Sequence, residues 1–349
     1  MRIIFPYPAR QHPIALWFIA LLLLLPPLAH AAKPARVFKQ QYAMGTVYQI
    51  VAYSESSVRA SQAIDAAFRE IVYLDHVMSN FDPASDLSQL DRSAHFHAAR
   101  VPPDLFRVIG DSLEYSRMSQ GKFDITLAPV IDLWKAAQRS GVPPSPGQIR
   151  TAQGCVGYRK IQLIPPDRIE FHSPCMRLDL GAIGKGYAVD RAVDVLRSYG
   201  IRSALVNAGG STFFGLGAPP DQPGWLIHLR DPSGRLGPEI VLKGNSVSTS
   251  EQWRASLIDA GSFGHIVDPA TDRPEASRFA VSVAAPTGTQ TDGLSLTLFM
   301  LGPEAGSRLI RNRLLDTAAI WVWPSGKSET VSTGPVITFD RRDAMKGDH

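Results

Sequence analysis

"FAVSVAAPTGTQTDGLSLTLFMLGPEAGSRLIRNRLLDTAAIWVWP", residues 279–324, changes its local pattern twice. Its two ends, "FAVSVAA" and "AIWVWP", are short runs rich in β-branched and aromatic residues and read as strands. Between them lies the apolar run that follows Asp292, and after it Pro303 to Arg313 reads as a helix. Strands framing helices without strict alternation indicate an α+β layout. Asp292 has two local readings that stay open at this point. It is either an N-cap that satisfies orphan N–H groups or a metal ligand.

The same mixture extends upstream. "GTVYQIVAY" reads as a strand, and Ser57 to Met78 has apolar residues at Ile64, Phe68, Ile71, Leu74 and Met78, a helical period. Two further helices are expected, Asp104 to Ser119, ending before Gly121, and Gly186 to Tyr199, ending at Gly200. "SALVNA", "GWLIHLRD" and "EIVLKG" add short strands. The expected fold is therefore a compact single unit of largely antiparallel sheet covered by helices. No repeat, low-complexity stretch or linker interrupts it, and the unit is assigned to residues 32–340, with a charged tail at 341–349.

The first 31 residues read differently. Arg2 and Arg10 precede the apolar run "IALWFIALLLLL", and "LAHA" ends at Ala31 with small residues at cleavage spacing, the pattern of a secretion signal peptide. The run of 12 is short against the roughly 20 residues a membrane span needs. The expected location is the periplasm, with attachment to the inner membrane where the signal is kept. Removing residues 1–31 takes two arginines and no acid, so the formal charge falls from +4 to +2. With lysines and arginines scattered among acids, nothing points to nucleic acid. Cys155 and Cys175 flank the hairpin-like "RKIQLIPPDRIEFHS", and export would let them form a disulfide.

Several stretches carry polar chemistry. In "LDLGAIGKGYAVD", Gly181, Gly184 and Gly186 surround Lys185 between a strand and a helix, where backbone N–H groups can approach a phosphate. The spacing fits neither the dinucleotide fingerprint nor the Walker loop, so phosphate binding and plain turn chemistry both remain. "NAGGS" at Asn207 to Ser211 adds a second glycine loop after a strand. "GHIVDPATDRP" places His265 three residues before Asp268, an acid/base pair or a polar turn. In "GKFDITLAPVIDLW" and "MSNFDPASDLSQLD", aromatic residues such as Phe123 and Phe81 stack on a planar ligand or pack a core.

Taken in order, "AMGTVYQI", "MSNFDPASDLSQLD", "GKFDITLAPVIDLW", "LDLGAIGKGYAVD", "LVNAGGS", "STS", "HIVDPATDRP" and "TDGLSLTLFMLG" resemble the ApbE family, the FAD:protein FMN transferases. The resemblance runs from about Ala43 to Gly302. It implies a T-fold-like α+β protein that moves FMN from FAD onto a threonine hydroxyl of an exported or membrane-bound acceptor protein, releasing AMP with Mg²⁺ as cofactor. By position it implies FAD contacts at Met44, Phe81, Lys122, Phe123, Asp124, Gly181, Tyr187 and Val267. It implies a metal held by the carbonyl of Gly184, the carboxylate of Asp292 and Ser295 one turn on; for the proton of the attacking hydroxyl, His265 or Asp268 is the expected acceptor on its own chemistry.

The sequence departs from the family pattern at four places. Leu296 stands where the family has a metal-binding threonine, Glu251 and Asp272 stand where it has glycines, and Ser211 replaces an aspartate. Leu296 has no oxygen to give a metal. The alternatives are accordingly an FAD pyrophosphatase that uses water as acceptor, an FAD-binding protein without turnover, and an assembly factor of the same fold.

Overall fold

The structure, a computed structural model, describes residues 33–252, 266–275 and 278–339. Two strands come first, β1 (Ala35–Ala43) and β2 (Thr46–Ser54), then the helices α1 (Ser57–Met78) and α2 (Asp86–Ser93). A short β3 (Ala99–Arg100) leads to α3 (Pro103–Met118), α4 (Ala128–Ser140) and α5 (Pro146–Cys155). The hairpin β4 (Ile161–Ile164) and β5 (Arg168–Phe171) precedes α6 (Gly184–Ser198). Five strands follow: β6 (Ser203–Ala208), β7 (Thr212–Leu216), β8 (Trp225–His228), β9 (Pro238–Leu242) and β10 (Asn245–Ser250). The described chain ends with β11 (Val267–Asp268), β12 (Arg273–Pro274), β13 (Ala280–Ala285), α7 (Gly288–Arg313), β14 (Ala318–Val322), β15 (Ser328–Ser332) and β16 (Ile337–Phe339).

Eight strands form one antiparallel sheet in the order β1-β2-β6-β7-β10-β13-β14-β15. One core lies between this sheet and the helices, joining Ile64, Phe68 and Ile71 of α1 with Val189 and Val193 of α6, Leu298 of α7 and Ile50, Val206 and Val281 of the sheet. Each such side chain contributes about 1.5–3 kcal/mol on leaving water. The expected helical cover is thus present. Its opposite face is also closed, because the small sheet β16-β9-β8 packs Trp225, Ile227 and Leu242 against Val247, Ala284 and Ile320.

Local chemistry fixes the element ends. Ser56 and Ser85 accept from the N–H groups of Arg59 (3.2 Å) and Ser88 (3.0 Å) and cap α1 and α2. Ser145 and Gln148 form a capping box on α5. The turn-rich stretch around Phe81 is therefore half helix: α2 begins at Asp86, directly after its serine cap. The helix expected at Pro303 to Arg313 is the second half of α7, separated from the first by Gly302 at φ 73°.

Cys155 and Cys175 are joined as a disulfide that ties the end of α5 to the segment after the β4–β5 hairpin. Its closed loop spans a sequence separation of 20, so replacing both cysteines by serine should lower the unfolding free energy by about 3 kcal/mol in a urea titration.

Candidate active site

The function of Asp292 is decided by how α6 and α7 meet. Thr287, not Asp292, caps α7, its hydroxyl oxygen accepting from the N–H of Gln290 at 3.2 Å. The local cap reading of Asp292 is thereby corrected: the residue sits one turn into the helix, 5% exposed, and its Oδ2 accepts from the N–H of Gly186 at 2.9 Å. Gly186 lies in the first turn of α6, whose own N-cap residue Ile183 supplies no side-chain bond. Asp292 therefore caps another helix, 106 residues away in sequence. The arrangement is reciprocal. Asp190 of α6 accepts from the N–H groups of Gly288 (2.6 Å) and Thr289 (2.8 Å) and from the Thr289 hydroxyl (2.6 Å), capping α7 in return. A carboxylate at a helix N-terminus is favoured by the aligned peptide dipoles. Burial raises the Asp190 carboxyl, and the bonds from Thr289 and Gly288 counter that only in part.

Such close crossing needs glycine. A Cβ on Gly186 would lie 2.1 Å from the carbonyl oxygen of Gly288, and one on Gly288 would lie 2.5 Å from that of Gly186.

A cleft of about 470 Å³ opens beside this crossing. Its floor is the glycine loop with Asp179, Gly181, Ala182 and Lys185, together with the β6–β7 turn at Gly209 and Gly210. One wall is α4 and the residue before it, through Leu127, Ile131 and Lys135. The other is the start of α7, through Asp292, Leu296 and Met300, and the end of β10. A side bay of about 170 Å³ shares Asp179, Gly181 and Lys185 with the cleft and is lined by Met44, Phe81 and Gly184. Phe81 is 80% exposed, with the Lys135 ammonium 5.0 Å from its ring centre.

Of the residues expected at the site, Lys122, Asp124, Gly181, Val267 and Asp292 line the cleft, and Met44, Phe81 and Gly184 line the bay. Phe123 is buried against Tyr115 with ring centres 5.7 Å apart. The Tyr187 hydroxyl donates to Asp104 at 2.6 Å. Ser295 is buried behind Ser250, their hydroxyls 2.9 Å apart. Asp268 is 7% exposed and accepts from the Lys122 ammonium at 3.0 Å. His265 lies outside the described residues. Lys135, Arg230, Asp190, Thr212 and Ser248 were not singled out from sequence. Their signal is spatial, since only the fold brings these five to the cleft or to the α6–α7 crossing.

Charges in the cleft are mostly committed. Arg230 pairs with Glu251 at 2.9 Å and Lys122 with Asp268, while among the described residues the Lys185 ammonium donates only to the Gly181 carbonyl, at 3.1 Å. Asp124 accepts from the Thr126 N–H and hydroxyl and the Tyr158 N–H, which pull its carboxyl down while burial raises it more strongly. Asp272 occupies the left-handed region at φ 55°, the conformation a glycine in that place would adopt freely. Its Oδ1 is buried without a hydrogen bond from any described residue, and burial followed by the neighbouring Asp268 raises its carboxyl.

The segment entering the glycine loop is extended chain outside any strand, not the strand expected from sequence, and it is held by a titrating group. The Leu178 N–H donates to Asp91 of α2 at 3.2 Å, yet burial pushes that carboxyl up to about 7. Between roughly pH 4 and pH 7 the folded state keeps a proton the unfolded chain has released, so stability should fall as pH rises through that window. Asp91→Asn should remove this dependence and raise the urea midpoint at pH 8, with little change at pH 4.

Among the described residues no three histidines, cysteines or carboxylates cluster as a metal site. The donors near Asp292 are one carboxylate, hydroxyls and backbone carbonyls, all hard oxygens. That set fits Mg²⁺, which takes few protein ligands when phosphates complete its shell.

A profile described as the ApbE family matches residues 44–321. The chain belongs to the ApbE family. This ApbE-family chain is 28% identical over 326 residues to the FAD:protein FMN transferase of Vibrio cholerae, covering 91% of this chain and 97% of that one. It is 26% identical to the FAD:protein FMN transferase of Salmonella typhimurium over 88% of its length and 93% of the relative's. The solved structure of the flavin transferase ApbE from Vibrio cholerae superposes with a TM-score of 0.76 at 25% identity, covering 86% of this chain and 98% of that one. Apo flavinyl transferase ApbE from Pseudomonas stutzeri gives 0.73 at 25% identity.

Proposed function

We propose that this protein is an FAD:protein FMN transferase, moving FMN from FAD to a threonine hydroxyl of an exported acceptor protein and releasing AMP. The observation that carries the reading is the placement of Asp292, a carboxylate fixed at the α6 N-terminus and facing a cleft that joins a bay holding an exposed phenylalanine.

In this reading Phe81 and Met44 receive the flavin ring in the bay, and Lys185 turns from the Gly181 carbonyl to the pyrophosphate. Gly181 lines both the cleft and the bay, and because a Cβ there would lie 2.9 Å from Asp179 Oδ1 it presents bare backbone to the phosphates. Asp292, Ser295 and the Gly184 carbonyl would hold Mg²⁺, which when bound neutralises charge on the phosphates. The threonine oxygen attacks the FMN phosphorus in line, the P–O bond to AMP breaks, and the hydroxyl proton passes to a base. His265 or Asp268 fills that role, and Asp268 must first part from Lys122.

The reading includes export. Residues 1–31 are a secretion signal, and the Cys155–Cys175 disulfide suits an oxidising compartment such as the periplasm. The partner is an exported or membrane-bound flavin acceptor, with inner-membrane association where the signal stays uncut.

The test is mass spectrometry of an acceptor domain incubated with the mature protein, FAD and Mg²⁺. A mass increase equal to FMN, prevented by EDTA, is expected. Release of FMN and AMP without that increase would replace the transferase reading with a pyrophosphatase. Bound FAD with neither product would mean that Leu296 has removed the chemistry.

A further inference from the structure

A helix packed on a sheet ordinarily meets it through apolar side chains, but α7 meets β10 through hydroxyls. Ser246, Ser248 and Ser250 fall on alternate residues of the strand and so share one face. Each meets a partner on the helix: Ser246 lies 2.9 Å from the Thr291 hydroxyl, Ser248 donates to Asp292 Oδ1 at 3.2 Å, and Ser250 lies 2.9 Å from the Ser295 hydroxyl. Thr212 of the adjoining β7 adds a second donor to Asp292 Oδ1 at 3.3 Å. Thr212 is 0% exposed and Ser248 1%, so neither hydroxyl is open to water, and the two lie 3.0 Å from each other, which makes Thr212, Ser248 and Asp292 Oδ1 one three-membered cluster.

The middle rung differs from the others because it ends on a carboxylate. Oδ1 takes two hydroxyl donors from the sheet side, and Oδ2 takes the Gly186 N–H from the helix side. With both oxygens held, the carboxylate is restrained from turning about its last side-chain bond, and it is held in this way where Asp292 lines the cleft. We propose that Thr212 and Ser248 are positioning residues that aim the Asp292 carboxylate and thereby set the protein's affinity for a divalent cation. The proposal rests on the reading of Asp292 as cation ligand given above. Donors behind a metal ligand ordinarily alter affinity by about 10–100-fold when removed.

The experiment measures, with FAD present, the Mg²⁺ concentration that half-maximally raises the melting temperature, and beside it the Mg²⁺ dependence of transfer. Ser248→Ala and Thr212→Val should each move both midpoints up by about 10-fold or more, with the transfer rate at saturating Mg²⁺ retained. Ser248→Thr keeps the hydroxyl and should behave as the parent. Ser246→Ala, which empties a rung that does not touch the carboxylate, should lower the melting temperature without moving the Mg²⁺ midpoint. If the parent responds to Mg²⁺ and Ser248→Ala and Thr212→Val respond at the same concentrations, the hydroxyls only pack and the proposal fails by itself. If neither the parent nor Asp292→Asn responds to Mg²⁺, the cation-ligand reading fails and takes the proposal with it.

Discussion

Asp292→Asn should reduce FMN transfer by about 10³-fold while leaving the melting temperature near that of the parent. Charge neutralisation on a transferring phosphoryl group is worth several kcal/mol, and each 1.36 kcal/mol is tenfold in rate. The amide oxygen of asparagine still accepts from the Gly186 N–H, so the cap on α6 survives while the negative charge is lost. Asp292→Ala removes both and should lose a further ~1 kcal/mol of stability, the ordinary value of an N-cap. Rates and melting curves of the two variants separate the two roles. A fully active Asn variant would remove Asp292 from the metal site and leave it as a cap.

Gly186→Ala carries the second large effect, this time on folding. Its methyl group would stand 2.1 Å from the Gly288 oxygen and 2.7 Å from Asp292 Cβ, contacts with backbone and a buried side chain that no rotamer change relieves. The two helices must part, breaking the bond to Asp292 on one side and those to Asp190 on the other. A loss of about 3 kcal/mol or more is expected in a urea titration. Gly154→Ala is the matched comparison. It lies inside α5 with open space around its Cβ position, so alanine there should stabilise by roughly 0.5–1 kcal/mol. Equal losses at both positions would show that general helix sensitivity, not the crossing, is responsible.

The sequence disclosed what depends on near neighbours. The Ser57–Met78 helix was readable to its boundaries, since its apolar spacing is local. The strands framing α7 were readable for the same reason. Strand β10 was missed because its inward residues are serines: "NSVSTS" inverts the usual alternation, its hydroxyl face being buried against α7 while Val247 packs against the small sheet. Asp292 was half legible. Its chemistry suggested a cap, but the helix it caps begins more than a hundred residues earlier, a pairing only the fold supplies. The site residues expected from motif order fall, where the structure describes them, into the cleft, the bay and the structure behind them. Thr212 lies in no quoted motif, and although Asp190 ends one and Ser248 begins another, neither was singled out, because their importance lies in whom they face.

The reciprocal capping of α6 and α7 also has a kinetic reading. The amides of Gly186, Gly288 and Thr289 are all shielded by the same contact, so a single parting of the two helices exposes all three to solvent. In deuterium they should exchange at a shared rate, although they belong to segments about a hundred residues apart. A ligand that grips Asp292 would slow this common opening, so protection at Gly288 and Thr289, outside the cleft lining, reports on occupancy at the carboxylate within it.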